Sequence, residues 1–84
     1  MGRAACRLRI RLADDEDLEA VFGTVQSLLI SRGCQLQNSA LNKGKQQLVF
    51  LLHVPAGIDL GQLKSDIRAT LPEADDARID FEVA

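Results

Sequence analysis

The sequence has no tryptophan, no tyrosine and only one histidine among its 84 residues. Tryptophan and tyrosine are common stacking partners for exposed bases, so the chain lacks this means of holding a nucleic acid. Its formal charge of −2 also gives no general attraction to polyphosphate. We therefore expect no nucleic acid among its partners.

Long apolar runs are absent too. None approaches the roughly 20 residues that a membrane-spanning helix needs, and residues 1–5 are not followed by the apolar segment of a signal peptide. We expect a soluble, cytoplasmic chain with no membrane insertion by this segment. Residues 1–5 themselves are predicted to be disordered or derived from a cloning vector.

The residues that usually carry chemistry are few. Cys6 and Cys34 do not form a C-x-x-C pair, and His53 has no second histidine or cysteine at metal-ligand spacing. The sequence also contains no G-x-x-x-x-G-K loop, no G-x-S-x-G elbow and no nucleophile with a plausible base. We predict no catalytic residue, no metal and no cofactor, and free thiols in a reducing compartment.

What the chain does have is the composition of an ordinary globular protein, 46% hydrophobic and 26% charged. Its length suits a single domain, 1–84, with one two-layer core. An enclosed substrate cavity together with its scaffold would need a longer chain. The size therefore favours a binding or interaction module.

The most informative stretch is 46–54, where apolar side chains occupy both parities of a strand. Alternate residues point to opposite faces, so Leu48 and Phe50 can fill a core while Val49, Leu51 and His53 face away from it. This pattern predicts a central strand with a second apolar face.

Five further elements surround this strand in the order β-α-β-β-α-β. Residues 6–12 and 77–83 alternate as strands, and residues 34–41 form a weaker, polar edge strand. The first helix is predicted between an aspartate cap and Gly33, and the second between Asp59 and Pro72. The apolar stripes of the two helices consist of Leu18, Val21, Phe22, Val25, Leu28 and Leu29, and of Leu60, Leu63, Ile67 and Leu71.

This order predicts an α+β, ferredoxin-like βαββαβ sandwich. With right-handed crossovers the sheet is antiparallel in the order 4-1-3-2, with both helices on one face. On its open face an arginine row lies between an apolar strip and the carboxylates of Asp80 and Glu82, which can pair with part of that row. The arginine row consists of Arg7, Arg9 and Arg11, and the apolar strip of Val49, Leu51 and His53. The predicted interface consists of Val49, Leu51, His53, Arg7, Arg9 and Arg11.

The pattern resembles the ACT-like regulatory domains. The strand at 6–12, the acidic turn at 13–17, the leucine-rich helix and the closing strand at 78–83 are most similar to the cytosolic C-terminal domain of the MgtC/SapB family of bacterial inner-membrane proteins. That resemblance implies a preceding membrane domain, a place on the cytosolic side of the inner membrane, a link to growth at low magnesium and a regulatory role. ACT domains that bind amino acids usually carry a glycine in the turn at 13–17, and this chain has none.

The leading hypothesis is a non-catalytic domain that binds a protein partner, or a second copy of itself as a dimer, through the open sheet face or an edge strand. The alternative is a sensor of a small anion at the arginine row, or of a divalent cation at the acidic loops 14–17 and 73–76. A third class is a small enzyme that uses His53 as an acid or base.

Overall fold

In the computed structural model, which describes residues 4–12, 17–71 and 78–83, four strands form one antiparallel sheet. The order β2-β3-β1-β4 and the two helices on one face confirm the predicted ferredoxin-like α+β sandwich. The elements are β1 (Ala4–Arg11), α1 (Leu18–Ser31), β2 (Gln35–Asn42), β3 (Gln47–Val54), α2 (Leu60–Thr70) and β4 (Arg78–Val83).

The core lies between the helices and one face of the sheet. Phe50 at the middle of β3 is fully buried, and its ring stacks on that of Phe22 in α1 with the centroids 5.1 Å apart. Every second residue of β1 and β3 faces this layer, as the alternation predicts. The largest fully buried side chains are Phe50, Leu8, Ile10, Leu29, Leu48, Leu52, Leu63, Ile67, Ile79 and Val25.

Helix α1 begins and ends at the predicted signals. The carboxylate of Asp17 accepts hydrogen bonds from the backbone N–H groups of Glu19 and Ala20, and Arg32 is the C-terminal cap residue. Gly33 follows with φ +86°, and the N–H of Cys34 donates to the carbonyl of Leu29 at 3.0 Å. These contacts complete a Schellman ending, which turns the chain from the helix into β2.

Helix α2 follows a tight turn at the end of β3. The N–H of Ile58 donates to the carbonyl of Pro55, and Gly57 takes a positive φ of 86° inside this turn. The carboxylate of Asp59 then caps the helix by accepting from the N–H groups of Gly61 and Gln62. The predicted start of α2 is therefore confirmed, whereas Pro72, its predicted stop, lies outside the described residues.

Two local details were not predicted from the sequence. Ala4 and Ala5 pair with the end of β3, so β1 begins before Cys6. In the hairpin between β2 and β3 the positive φ belongs to Gln46, at 51°. Asn42 acts instead through its side chain, which accepts from the N–H of Lys45 at 3.1 Å and tightens the turn.

Strand β2 also carries an irregularity that the sequence hid. The register of β2 against β3 shifts between Leu36 and Asn38, so Gln37 is the extra residue of a bulge. Beyond this bulge the even-numbered residues of β2 face the open side instead of the helices, so Ala40 lies opposite Val49 on the open face. Leu41 consequently lies on the helix side of this edge strand, where it is 42% exposed.

Candidate functional site

The six residues predicted as an interface all lie on the open face of the sheet. Arg7 is directly opposite Leu51, and Arg9 is opposite Val49. His53 faces Ala5, and Arg11 faces Gln47. The sheet therefore brings the arginine row of β1 and the apolar strip of β3 side by side, as the predicted strand order requires.

The apolar strip is partly open to solvent. Leu51 is 38% exposed, while Val49 and His53 are half-buried by their neighbours on β1 and β2. Asn38 and Ala40 of the edge strand lie opposite Leu51 and Val49 and widen the strip toward β2. Neither described helix covers this face, so its apolar surface is not used by the core of the domain.

The charges of this face are unevenly matched. Arg7 forms an ion pair with Glu82 of β4 at 3.3 Å, so the predicted pairing of the arginine row with carboxylates of β4 is confirmed for Glu82. Arg9 is opposite Asp80 in the register, but the ion pairs among the described residues do not include either one. Arg11 is opposite Arg78, a like-charged pair across the two strands that is unfavourable by itself.

A depression of about 260 Å³ lies at one end of the open face. Its space exists because Ala5 presents only a methyl group opposite His53, and because the bulged Gln37 leaves the regular ladder. The ion pair of Arg7 and Glu82 forms one wall. The complete lining is Ala5, Cys6, Arg7, Gln37, Leu51, Leu52, His53 and Glu82.

Sequence reasoning missed three of the residues that shape this depression. Ala5 lies on the same face of β1 as the arginine row, so the alternation of this strand was sufficient to predict its position. Gln37 was harder to find, because its role depends on the bulge. The only sequence signal was the odd spacing between Leu36 and Leu41, which cannot lie on one face of a regular strand. Glu82 was predicted as a partner of the arginines but not as a wall.

His53 lines the depression together with Glu82, whose carboxylate is paired with Arg7. With the other described residues its imidazole makes no hydrogen bond. The thiol of Cys6 lies on the core side of β1, and burial raises its pKa, with a weaker opposing effect from a backbone hydrogen bond of Glu82. A neutral buried thiol is a poor nucleophile. Among the described residues that line this depression, no activated nucleophile is hydrogen-bonded to a base.

Both cysteines are free and buried, as predicted. Burial also raises the pKa of Cys34, and the nearby thiol of Cys6 adds to this increase. The two thiols therefore stay protonated near neutral pH. They behave as small apolar core residues.

Most of the acidic loops proposed for a cation lie outside the described residues. Of the 14–17 run only Asp17 is described, and its carboxylate is occupied as the cap of α1. Within 4–12, 17–71 and 78–83, no three histidine, cysteine or acidic side chains cluster as metal ligands would. In the same part of the chain no helix is long and apolar enough to cross a membrane.

Comparison with known proteins identifies the fold. No protein-family model and no curated protein sequence matches the chain. Among solved structures, the chain is similar to the P2 domain of the chemotaxis kinase CheA, determined in complex with the response regulator CheY from the thermophile Thermotoga maritima. The TM-score is 0.74 at 15% sequence identity, and the match covers 99% of this chain and 100% of that one.

A second similar structure is an unknown protein from Galdieria sulphuraria, with a TM-score of 0.71 and 12% identity. The match covers 96% of this chain but 45% of that one, so the chain spans less than half of its length. At these identities both likenesses describe the fold, which is the ferredoxin-like βαββαβ arrangement already seen in the strand order.

Proposed function

We propose that this chain is a non-catalytic protein-interaction domain that docks a protein partner through its open sheet face. The observation that carries this proposal is Leu51, 38% exposed in a half-buried apolar strip beside an arginine row. Interface centres combine exposed apolar side chains with arginine at their margins. The CheA P2 domain, which has the same fold, was determined with a bound protein, CheY, and this supports a docking role.

The proposal is tested by photo-crosslinking from two positions of the full chain. A benzophenone amino acid at Val49 lies on the open face, whereas the same group at Ile30 of α1, which is 57% exposed, lies outside it. In extract from the source organism we expect one discrete crosslinked protein from position 49 and none from position 30. Equal products from both positions, or none from either, would contradict docking at this face.

Leu51→Asp then tests whether the strip itself holds the partner, and Leu41→Asp is the matched control. The two leucines have similar exposure, 38% and 42%, but only Leu51 lies on the open face. We expect Leu51→Asp to abolish the crosslink and Leu41→Asp to preserve it. Sedimentation of the unmodified chain at high concentration identifies the partner as a second copy if a dimer forms that Leu51→Asp dissociates.

A narrower proposal places this domain on the cytosolic side of a bacterial inner membrane as the C-terminal part of an MgtC/SapB protein. Its support is the sequence pattern of β1, α1 and β4. The full reading frame tests it, because an upstream segment with several membrane-spanning helices is required. A frame without such a segment would remove the magnesium-linked role and leave the docking role intact.

The sensor alternative is tested by titrating the labelled chain with Mg²⁺ and Ca²⁺ while amide resonances are recorded. Cation binding at the acidic loops requires localised shifts at Asp17 and at residues 14–16 and 73–76. If no amide resonances shift at these residues, the chain is not a cation sensor of this kind. The docking proposal does not depend on the result.

A further inference from the structure

Resting on the proposed function, we infer that the partner presents an acidic segment, in which an apolar side chain enters the depression and neighbouring carboxylates pair with Arg9 and Arg11. The inference concerns the chemistry of the partner. It follows from the charge, the shape and the spacing of the open face.

The charge of the open face is opposite to that of the chain. Four arginines of β1 and β4 lie on this face against two carboxylates, an excess of two positive charges, while the whole chain has a net charge of −2. A local positive excess therefore lies where the apolar strip is exposed. Complementary potential directs association and excludes partners of the same sign.

Within this face the arginines have different roles. Arg7 is already held by Glu82 at 3.3 Å and forms a wall of the depression. Arg9 and Arg11 form no ion pair with described residues, and Arg11 faces the like charge of Arg78. An incoming carboxylate relieves this repulsion and gains a charge-assisted hydrogen bond.

The depression is suited to an apolar side chain because of its size and its lining. A volume of about 260 Å³ is below the range of pockets that enclose drug-sized molecules. Leu51 contributes apolar surface, and the small side chain of Ala5 leaves space above it. Small apolar pockets of this kind commonly receive one anchoring side chain of a partner.

The spacing of the arginines defines the arrangement of the partner's residues. Arg7, Arg9 and Arg11 are successive same-face residues of a strand, so they repeat about every 7 Å. An extended segment has the same repeat. A leucine that enters the depression above Ala5 therefore places acidic residues four and six positions away beside Arg9 and Arg11.

A second copy of this chain fits this face less well. Face-to-face pairing of two copies brings two surfaces with the same positive excess together, which opposes association. An acidic partner has the complementary sign. The open face therefore favours a different protein over self-association.

The test uses synthetic peptides with the isotope-labelled full chain. The probe is a peptide in which every second residue is serine. The residues between the serines are a central leucine with three glutamates on each side, so that the peptide reads alike in both directions. One control peptide replaces every glutamate with lysine, and another replaces the leucine with alanine. We expect the acidic leucine peptide to shift the amide resonances of Ala5, Arg9 and Leu51, with weaker binding at higher salt.

Variants of the chain separate the two parts of the site. Arg9→Glu with Arg11→Glu should weaken the acidic peptide about tenfold and improve binding of the lysine peptide. Lys64→Glu on α2 makes the same type of charge change on the helix side and should have no effect. Ala5→Phe fills the depression and should remove the difference between leucine and alanine peptides.

The inference is overturned if the lysine peptide binds as well as the acidic one, if no peptide binds, or if the shifts lie on the helices. These results leave the docking proposal separately testable, because the Val49 crosslink and its loss in Leu51→Asp require no particular partner charge. If the crosslink fails while the acidic peptide binds at Ala5 and Arg9, the docking proposal fails and the face is an acidic-peptide site only.

Discussion

The two faces of the sheet use the same strands for different purposes. On the helix side of β3, Leu48 and Phe50 are completely buried, whereas Leu51, between Phe50 and Leu52 in the chain, is 38% exposed. Both sets of side chains are apolar, so hydrophobicity alone does not define the core. The helices do, because they cover one face and leave the other. Among the described elements, none covers the apolar residues of the open face, which is where the proposed partner would bind.

The largest expected difference in stability is between substitutions at two neighbouring residues of β3 that lie on opposite faces. Phe50→Ala removes a fully buried ring that stacks on Phe22, and we expect a loss of about 3–5 kcal/mol of folding free energy. Leu51→Ala, on the next residue, should cost about 1 kcal/mol or less, because its side chain already contacts water. Urea unfolding measures both. Equal losses would mean that the open face is also part of the folding core.

Substitutions at two glycines of the helix layer should change stability without altering the open face. Gly33 has φ +86°, so Gly33→Ala should destabilise the chain by about 1–2 kcal/mol through backbone strain. Gly23 lies in α1 with no atom near an added methyl group, and Gly23→Ala should stabilise the chain by about 1 kcal/mol. Thermal unfolding measures these opposite signs. Partner binding should be the same in both variants, and a change in the crosslink from Val49 would show that the helix layer contributes to docking.

The ion pair on the open face should contribute much less to stability than the core. The side chains of Arg7 and Glu82 are 48% and 69% exposed, so a double-mutant cycle should give a coupling of roughly 0.2–1 kcal/mol that decreases with salt. A coupling well above this range would assign the arginine row a structural role. The open face would then contribute to folding as well as to docking.

The smallest effect is a pH dependence on the helix side. A hydrogen bond from Gln62 lowers the pKa of Asp66, with a further contribution from Arg32 at 3.2 Å. A depressed pKa in the folded state stabilises the protein above the ordinary value near 3.8, and this contribution is lost as the pH falls through the folded-state pKa. The stability difference between the natural chain and Asp66→Asn, measured by urea unfolding, should therefore shrink in acid. A constant difference would contradict this effect.

The sequence predicts the fold well where one residue type has one physical role. Asp17 and Asp59 mark helix starts by their capping chemistry, Gly33 marks a helix end, and the alternation of β1 separates core from open face. The open-face residues Val49, Leu51 and His53 followed from the same alternation once the strand order was known.

The remaining details depend on contacts between distant segments. The bulge at Gln37 reverses the parity of β2, and only its register against β3 reveals this. Gln46 takes the positive φ because the hairpin must return to the ladder, and neighbouring Leu12 donates to its carbonyl at 2.8 Å. The depression arises from Ala5 and Gln37 together, which are far apart in the sequence. Local secondary-structure propensity contains no information about contacts between such distant residues.

Whether the apolar strip holds a protein partner is decided by the Val49 crosslink in the Leu51→Asp and Leu41→Asp variants. We expect the crosslinked protein to disappear with Leu51→Asp and to persist with Leu41→Asp, while both variants remain folded by circular dichroism. A crosslink that survives Leu51→Asp in a folded chain would contradict the claim.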